Sequence, residues 1–391
     1  MADGADSATM TARVCGAIAD IPAADWDRLA NPAGAPENPF VSYAFLSALE
    51  NSGSAASPSG WTPSHLALEK DGRIVGVAPA YLKTHSYGEY VFDHHWAEAF
   101  ERAGGRYYPK LLCASPFTPV PGPRLLAPSA ETRTALGAAL VDLARRSGAS
   151  SAHVNFIGED DAAILEAREW LIRCGVQYHW FNREYQSYDD FLAALSSRKR
   201  KALKRERREA GEGVTIRRLS GGELGESDWN AFWEFYQETG GRKWGRPYLT
   251  RAFFAEIAET MSAKIMMVVA EANGRPIAGA LNFIGGDALY GRYWGRIEDR
   301  PFLHFEVCYH QAIEFAIERG LARVEAGVQG EHKIARGYEP VLTRSAHWIA
   351  DPGFRKAVAR YLDAERRGVA DEMAIIGEMT PFRRPPEPGT H

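Results

Sequence analysis

Apolar positions along the chain fall into a pattern that occurs twice. Trp61–Leu82 (WTPSHLALEKDGRIVGVAPAYL) is an apolar run, a polar turn Asp71-Gly72-Arg73 and a second apolar run, which predicts a β-hairpin. Lys264–Ile284 (KIMMVVAEANGRPIAGALNFI) repeats the pattern around Asn273-Gly274-Arg275. A helix followed by a strand also recurs. Within Glu131–Phe156, Leu136, Leu140 and Leu143 lie at helical spacing, Gly148 stops the helix and AHVNF reads as a strand. Within Leu303–Gly327 the matching apolar face is Ile313, Ala316 and Ile317, the stop is Gly320 and the strand is ARVEA. Gly72 and Gly274 are 202 residues apart, Gly148 and Gly320 only 172, so the first copy holds about 30 extra residues between hairpin and helix.

Two helices are predicted ahead of the second hairpin, one on Trp229, Phe232, Trp233 and Tyr236 and one on Phe253, Ile257 and Met261; their aromatics read as core. Strand, helix and strand after each hairpin make a mixed α/β plan, with helices covering a twisted sheet. The expected organisation is residues 1–180 as one domain with an insert near 85–125, 181–350 as a second, and 351–391 as an extension ending in the proline-rich PFRRPPEPGTH, read as mobile.

Composition narrows the class. The 391 residues are 45% hydrophobic and 25% charged, with 22 prolines and 37 glycines, which excludes collagen-like, coiled-coil and wholly disordered chains. The longest purely apolar run, Ile265–Ala270, falls far short of the ~20 residues of a membrane span. Met1–Cys15 contains acidic residues and no continuous apolar core, so it does not read as a secretory signal, and a cytoplasmic protein is expected. Cys15, Cys113, Cys174 and Cys308 are widely spaced, which fits reduced thiols better than disulfides or a zinc site. The net charge of −4 conceals one strongly basic segment: Ser196–Glu209 (SSRKRKALKRERRE) carries eight Lys/Arg against two Glu, a local charge of +6.

Four blocks carry a family resemblance: Asn38–Glu50 (NPFVSYAFLSALE), Tyr107–Leu126 (YYPKLLCASPFTPVPGPRLL), Leu303–Ile317 (LHFEVCYHQAIEFAI) and Gln329–Trp348 (QGEHKIARGYEPVLTRSAHW). Together they resemble the N-acyltransferase family described as peptidoglycan biosynthesis/recognition, a relative of the Fem aminoacyl-tRNA-dependent transferases, which also includes bacterial ceramide synthases. The resemblance implies tandem GNAT-like domains and amide formation from a thioester. The donor it implies is an acyl-CoA or acyl-carrier protein co-substrate, with no tightly bound cofactor expected. The most specific implied product is a ceramide-type amide from a long-chain acyl group and a sphingoid base. The alternatives are a Fem-like enzyme using aminoacyl-tRNA on a cell-wall precursor, and a non-catalytic membrane- or cell-wall-binding module. One departure is that Gly295–Glu306 (GRIEDRPFLHFE) lacks the glycine-rich loop with which acetyl-CoA enzymes hold pyrophosphate.

Acylating an amine requires a base, because an alkyl ammonium has a pKa of about 10.4, and donors for the tetrahedral oxyanion. His332, in the loop after the ARVEA strand, is the first choice of base, with Glu306 and His304 in the first turn of the Leu303 helix as further candidates. A backbone amide of Ala288–Gly295 is the expected oxyanion donor. Lys333 and Arg336 are assigned to donor phosphates or a substrate carboxylate, and Tyr290, Arg292 and Tyr338 to the substrate. In the insert, Asp93, His94, His95, Tyr107 and Tyr108 are read as substrate contacts and Lys110 and Arg124 as anion contacts. Asp93 and His95 would share a face of a strand, but no third ligand has metal-site spacing, so no metal is assigned. The basic helix, with Arg198, Lys199, Lys201 and Lys204, is open to three partners: donor phosphates, an anionic membrane at its inner face, or tRNA under the Fem-like alternative.

Overall fold

The structure, a computed structural model, describes residues 10–244, 247–327 and 330–383. The proline-rich end from 384 onward, expected to be mobile, lies outside the described residues, as does Gln329. The strands are β1 (Thr11–Cys15), β2 (Trp61–Pro63), β3 (His65–Lys70), β4 (Arg73–Ala78), β5 (Ala80–Lys83), β6 (Lys110–Cys113), β7 (Ser151–Ile157), β8 (Leu171–Phe181), β9 (Thr215–Ser220), β10 (Ile265–Ala272), β11 (Arg275–Ile284), β12 (Ala288–Arg296), β13 (Arg323–Glu325) and β14 (Glu339–Ile349).

They belong to two compact units. Unit 1 is residues 1–175, 248–260 and 343–368; unit 2 is 176–247, 261–342 and 369–391. The chain thus leaves unit 1 inside β8, five residues before the boundary expected at 180, and returns to it inside β14. The helix Arg251–Thr260 joins unit 1, although it precedes the second hairpin in sequence.

In unit 1 the strand order is β2-β5-β6-β7-β14, and in unit 2 it is β10-β11-β12-β13-β8, with β9 added outside β10. Each unit therefore has a hairpin, a third antiparallel strand, a parallel strand reached through a helix, and a final antiparallel strand. The last strand is exchanged: β8 follows β7 in sequence but pairs with β13, and β14 follows β13 but pairs with β7. This is the tandem GNAT-like, mixed α/β fold expected from the repeated pattern.

Local chemistry sets these elements. At the tips of the β3–β4 and β10–β11 hairpins, Asp71-Gly72 and Asn273-Gly274 both have positive φ (52° and 72°; 51° and 72°), the two-residue turn whose twist suits an antiparallel pair. The first hairpin breaks at Ser64 and Pro79, so β3 and β4 join β1 in a separate three-stranded sheet while β2 and β5 stay in the main sheet of unit 1. In unit 2, β10 is buried almost throughout. Met266 and Val268 pack with Val307 and Ile313 of the following helix, as expected of a strand covered on both faces. The helix Glu226–Trp244 lies very close to the sheet: a Cβ on Gly295 would come within 2.1 Å of the Phe235 carbonyl oxygen. Unit 1 has its own core around Leu111, Leu136, Leu140, Val154 and Ala346.

Candidate active site

Strands β12 and β13 pair in parallel over three residues only, Ala288–Tyr290 against Arg323–Glu325. Beyond Tyr290, β12 runs on to Arg296 while β13 has ended. At the same point β12 carries an extra residue against β11: Gly291 faces Asn282 and Tyr293 faces Leu281, leaving Arg292 as a bulge. A cavity of about 110 Å³ opens there, lined by Asn282, Gly291, Arg292, Tyr293, Trp294, His304, Cys308, Tyr309 and Ala326. A splayed parallel pair exposes backbone N–H groups that no neighbouring strand consumes, and a bulge re-aims them.

The wall opposite β12 is the Leu303 helix. It starts at Phe302, which has φ 59°, and after one turn it widens into a π-helical stretch, Glu306–His310. The π turn brings Tyr309 to His304, five residues earlier (ring centroids 5.4 Å), and the Tyr309 hydroxyl lies 3.0 Å from His332 Nε2. His332 belongs to a 3₁₀ turn, Glu331–Arg336, and its ring is 6.1 Å from that of His304. Partial burial, with Arg336 and Lys333 nearby, lowers the His332 pKa below the usual imidazole value. Burial raises the Tyr309 phenol above its usual value. The imidazole is therefore neutral at pH 7 and the phenol protonated.

Most other charged candidates hold this wall in place. Glu306 is buried and takes a bidentate pair from Arg207 of the basic helix (Nη2–Oε1 and Nε–Oε2 both 3.0 Å), plus Gln311 at 2.6 Å, so it is turned away from the cavity. Arg336, assigned to anions from the sequence, is buried and pairs with Glu206 (Nε–Oε1 2.8 Å, Nη2–Oε2 2.5 Å), while its Nη1 donates to the His332 carbonyl. His310 Nε2 adds a contact to Glu206 at 2.7 Å. Burial pushes Glu206 up, but His310 and Arg336 outweigh it and hold the carboxyl below its usual range. Lys333 is buried, donates to the carbonyls of Ala326 (2.7 Å) and Gly327 (3.0 Å), and is lowered by burial to about 7. Of the predicted substrate contacts here, Arg292 lines the cavity, Tyr338 is buried against Tyr309, and Tyr290 is buried beside Arg323.

The glycine-poor junction ahead of the helix has a structural counterpart. Leu303 N donates to Arg300 O, and Phe305 N and Glu306 N to Phe302 O, so the amides that would cradle a pyrophosphate are largely consumed within their own turn.

The matching place in unit 1 is closed. β6 and β7 also pair in parallel over three residues, but beyond them the Gly122 amide donates to the Phe156 carbonyl at 2.9 Å. Arg124 is fully buried, donating to the carbonyls of Val120 (2.6 Å) and Pro123 (3.0 Å). Arg124 therefore braces a loop and is not exposed to an external anion. Lys110 is likewise fully buried, between Glu89 (2.7 Å), Asp93 (2.5 Å) and Ser86 (2.7 Å), with the Tyr107 hydroxyl on Asp93 and Tyr108 on Ser86. Burial alone would raise the Asp93 carboxyl, but Lys110 and His153 outweigh it and hold it below the usual range. Asp93 is not on a strand: it precedes the helix His94–Arg102, on which His94 and His95 are exposed. Among the described residues no group of three or more His, Cys, Asp or Glu is placed to hold a metal, and no helix is long and apolar enough to cross a membrane.

Sequence reasoning missed Tyr309, Trp294, Cys308 and Asn282. Five-residue spacing does not share a face in an ordinary helix, so nothing in the sequence linked Tyr309 to His304.

The family model for peptidoglycan biosynthesis/recognition matches residues 17–384. The chain belongs to this FemAB-like family. No curated protein matches the chain. Among solved structures, FemX is 13% identical with a TM-score of 0.54, over 87% of this chain and 98% of its own. The C-terminal domain of a putative lysylphosphatidylglycerol synthetase from Agrobacterium fabrum is 11% identical with a TM-score of 0.51, over 86% and 95%. A conserved protein of unknown function from Bacteroides thetaiotaomicron is 10% identical with a TM-score of 0.52, over 87% and 100%. At these identities the likeness is one of fold, and it extends over most of this FemAB-like chain.

Proposed function

We propose that this FemAB-like protein is a transferase that forms an amide, moving an acyl or aminoacyl group from an activated ester or thioester to a primary amine in the cleft of unit 2. The observation that carries the reading is that the strand edge beyond Tyr290 and the Tyr309 side chain line one open cavity, while His332 Nε2 lies 3.0 Å from the Tyr309 hydroxyl. With the imidazole proton on Nε2, donated to the Tyr309 oxygen, Nδ1 accepts a proton from the attacking amine. The tetrahedral oxyanion takes hydrogen bonds from β12 amides near the bulge. As the intermediate collapses, Tyr309 gives its proton to the departing sulfur or oxygen and recovers one from His332 Nε2, so the proton taken from the amine balances the one given to the leaving group.

Two finer readings divide on the donor. A long-chain acyl thioester with a sphingoid amine is supported by the sequence blocks; an aminoacyl donor with a cell-wall precursor is supported by the family description. Purified protein is incubated with palmitoyl-CoA and sphinganine, and separately with aminoacyl-tRNA and a UDP- or lipid-linked pentapeptide, and amides are identified by mass spectrometry. In whichever pair reacts, His332→Ala is expected to lower turnover by about 10²–10⁴ with little change in Tm. Amide formation in neither mixture, or full turnover by the variant, overturns the proposal.

A further inference from the structure

The basic helix Ser197–Ala210 is half consumed by unit 2. Leu203, Glu206 and Ala210 are buried, and Glu206 and Arg207 make the ion pairs described above. At 100° per residue, Arg198, Lys201, Arg205 and Arg208 fall opposite that buried face, spaced three, four and three residues apart, and all four are exposed. They form a row about 15 Å long. Glu209 lies near both Arg205 (3.5 Å) and Arg208 (3.9 Å), which leaves the row with a net charge of about +3 in a chain whose total is −4.

The start of this helix is tied to an exposed apolar feature. Ser196 N donates to Pro381 O at 2.9 Å, Arg383 N donates to Ala194 O at 3.0 Å, and Leu195 bridges Phe382. Immediately before this contact, Ile376 is buried in the same core cluster as Leu195 and Leu203, while its neighbours Ile375 and Met379 are 57% and 54% exposed. Met379 and Arg198 are each two residues from the Ser196–Pro381 bond, within about 7 Å along the chain on either side. A nucleic-acid surface needs the cations but has no use for two exposed aliphatic side chains beside them. A bilayer with anionic headgroups uses both.

We infer that unit 2 docks on an anionic lipid bilayer through the row Arg198, Lys201, Arg205 and Arg208, with Ile375 and Met379 entering the headgroup region beside it. The attraction is electrostatic in reach and apolar at contact, so binding falls with ionic strength and requires negative lipid.

The test is co-sedimentation of the full chain with vesicles of phosphatidylglycerol and phosphatidylcholine, and with phosphatidylcholine alone, at about 0.1 M salt. Wild type is expected to bind the anionic vesicles and not the neutral ones. The variant R198Q/K201Q/R205Q/R208Q, which removes four positive charges, is expected to bind about six-hundredfold more weakly, at about fivefold per charge. I375S/M379S, which leaves every charge in place, is expected to bind several-fold more weakly while keeping its salt dependence. Near-wild-type circular dichroism and Tm confirm that both variants fold. Absence of wild-type binding to the anionic vesicles overturns the inference, as does undiminished binding by either variant. Tighter binding of the wild-type chain to an RNA duplex, lost in the charge variant and kept in I375S/M379S, also overturns it and reassigns the row to nucleic acid.

Discussion

Replacing Glu206 by Gln tests how the cleft wall is supported. Glu206 receives two hydrogen bonds from Arg336 and one from His310, and all three residues are buried. The substitution keeps the shape but leaves the Arg336 guanidinium in the interior without a counter-charge. Breaking a buried pair from one side costs about 3–5 kcal/mol. Unit 2 has the size of a domain for which each kcal/mol shifts Tm by about 2–4 °C, so its unfolding transition is expected to drop by about 10 °C. The sign with pH is also fixed. The Glu206 pKa is lower in the folded chain than its ordinary value of 4.5, so its contribution is fully present above that value and is lost as pH falls through the folded value. Wild type and E206Q should therefore converge in stability on acidification. Differential scanning calorimetry and urea unfolding at several pH values measure this, with E206Q/R336M as the partner variant. Removing both charges should recover part of the loss, because the unpaired guanidinium is gone. Because Arg336 also donates to the His332 carbonyl, E206Q should lower kcat more than it changes KM. A Tm within about 2 °C of wild type, or a double variant no better than the single, would refute the reasoning.

The depressed His332 pKa predicts that the acid limb of the kcat/KM profile lies below pH 6.5, with activity lost tenfold per unit beneath it because protonated imidazole accepts no proton; a limb above 6.5 would transfer the role of base to another group. Gly295→Ala should lower the stability of unit 2 by about 1–3 kcal/mol, read as a urea midpoint, because the new methyl group meets the Phe235 carbonyl. Lys110→Met should destabilise unit 1 by about 3–5 kcal/mol at neutral pH by stranding Asp93 and Glu89. The folded-state pKa of Asp93 is depressed in wild type, so that stabilisation is present above about pH 4 and lost on acidification; the variant should lack this pH dependence.

The sequence by itself determined what depends on neighbours along the chain. The Asp71-Gly72 and Asn273-Gly274 turns, the helices of period 3.6 and their glycine stops, and the duplicated α/β plan all follow from local backbone preference and apolar spacing, and all are present in the fold. So is the missing glycine pair ahead of Leu303. What the tertiary structure decided was the partner of each charge. In the sequence Lys110, Arg124 and Arg336 looked like anion-binding groups and Glu306 like a catalytic base, because their types and positions fit those roles. Folding instead sets Glu89 against Lys110, Arg207 against Glu306 and Glu206 against Arg336, and turns Arg124 onto the carbonyls of its own loop; a buried charge cannot persist without such a partner. Tyr309 entered the site only through a π turn, which no residue spacing announces. Likewise the exchange of β8 and β14 between the units depends on which strand edge each one meets, and that is settled by pairing across more than 140 residues of chain.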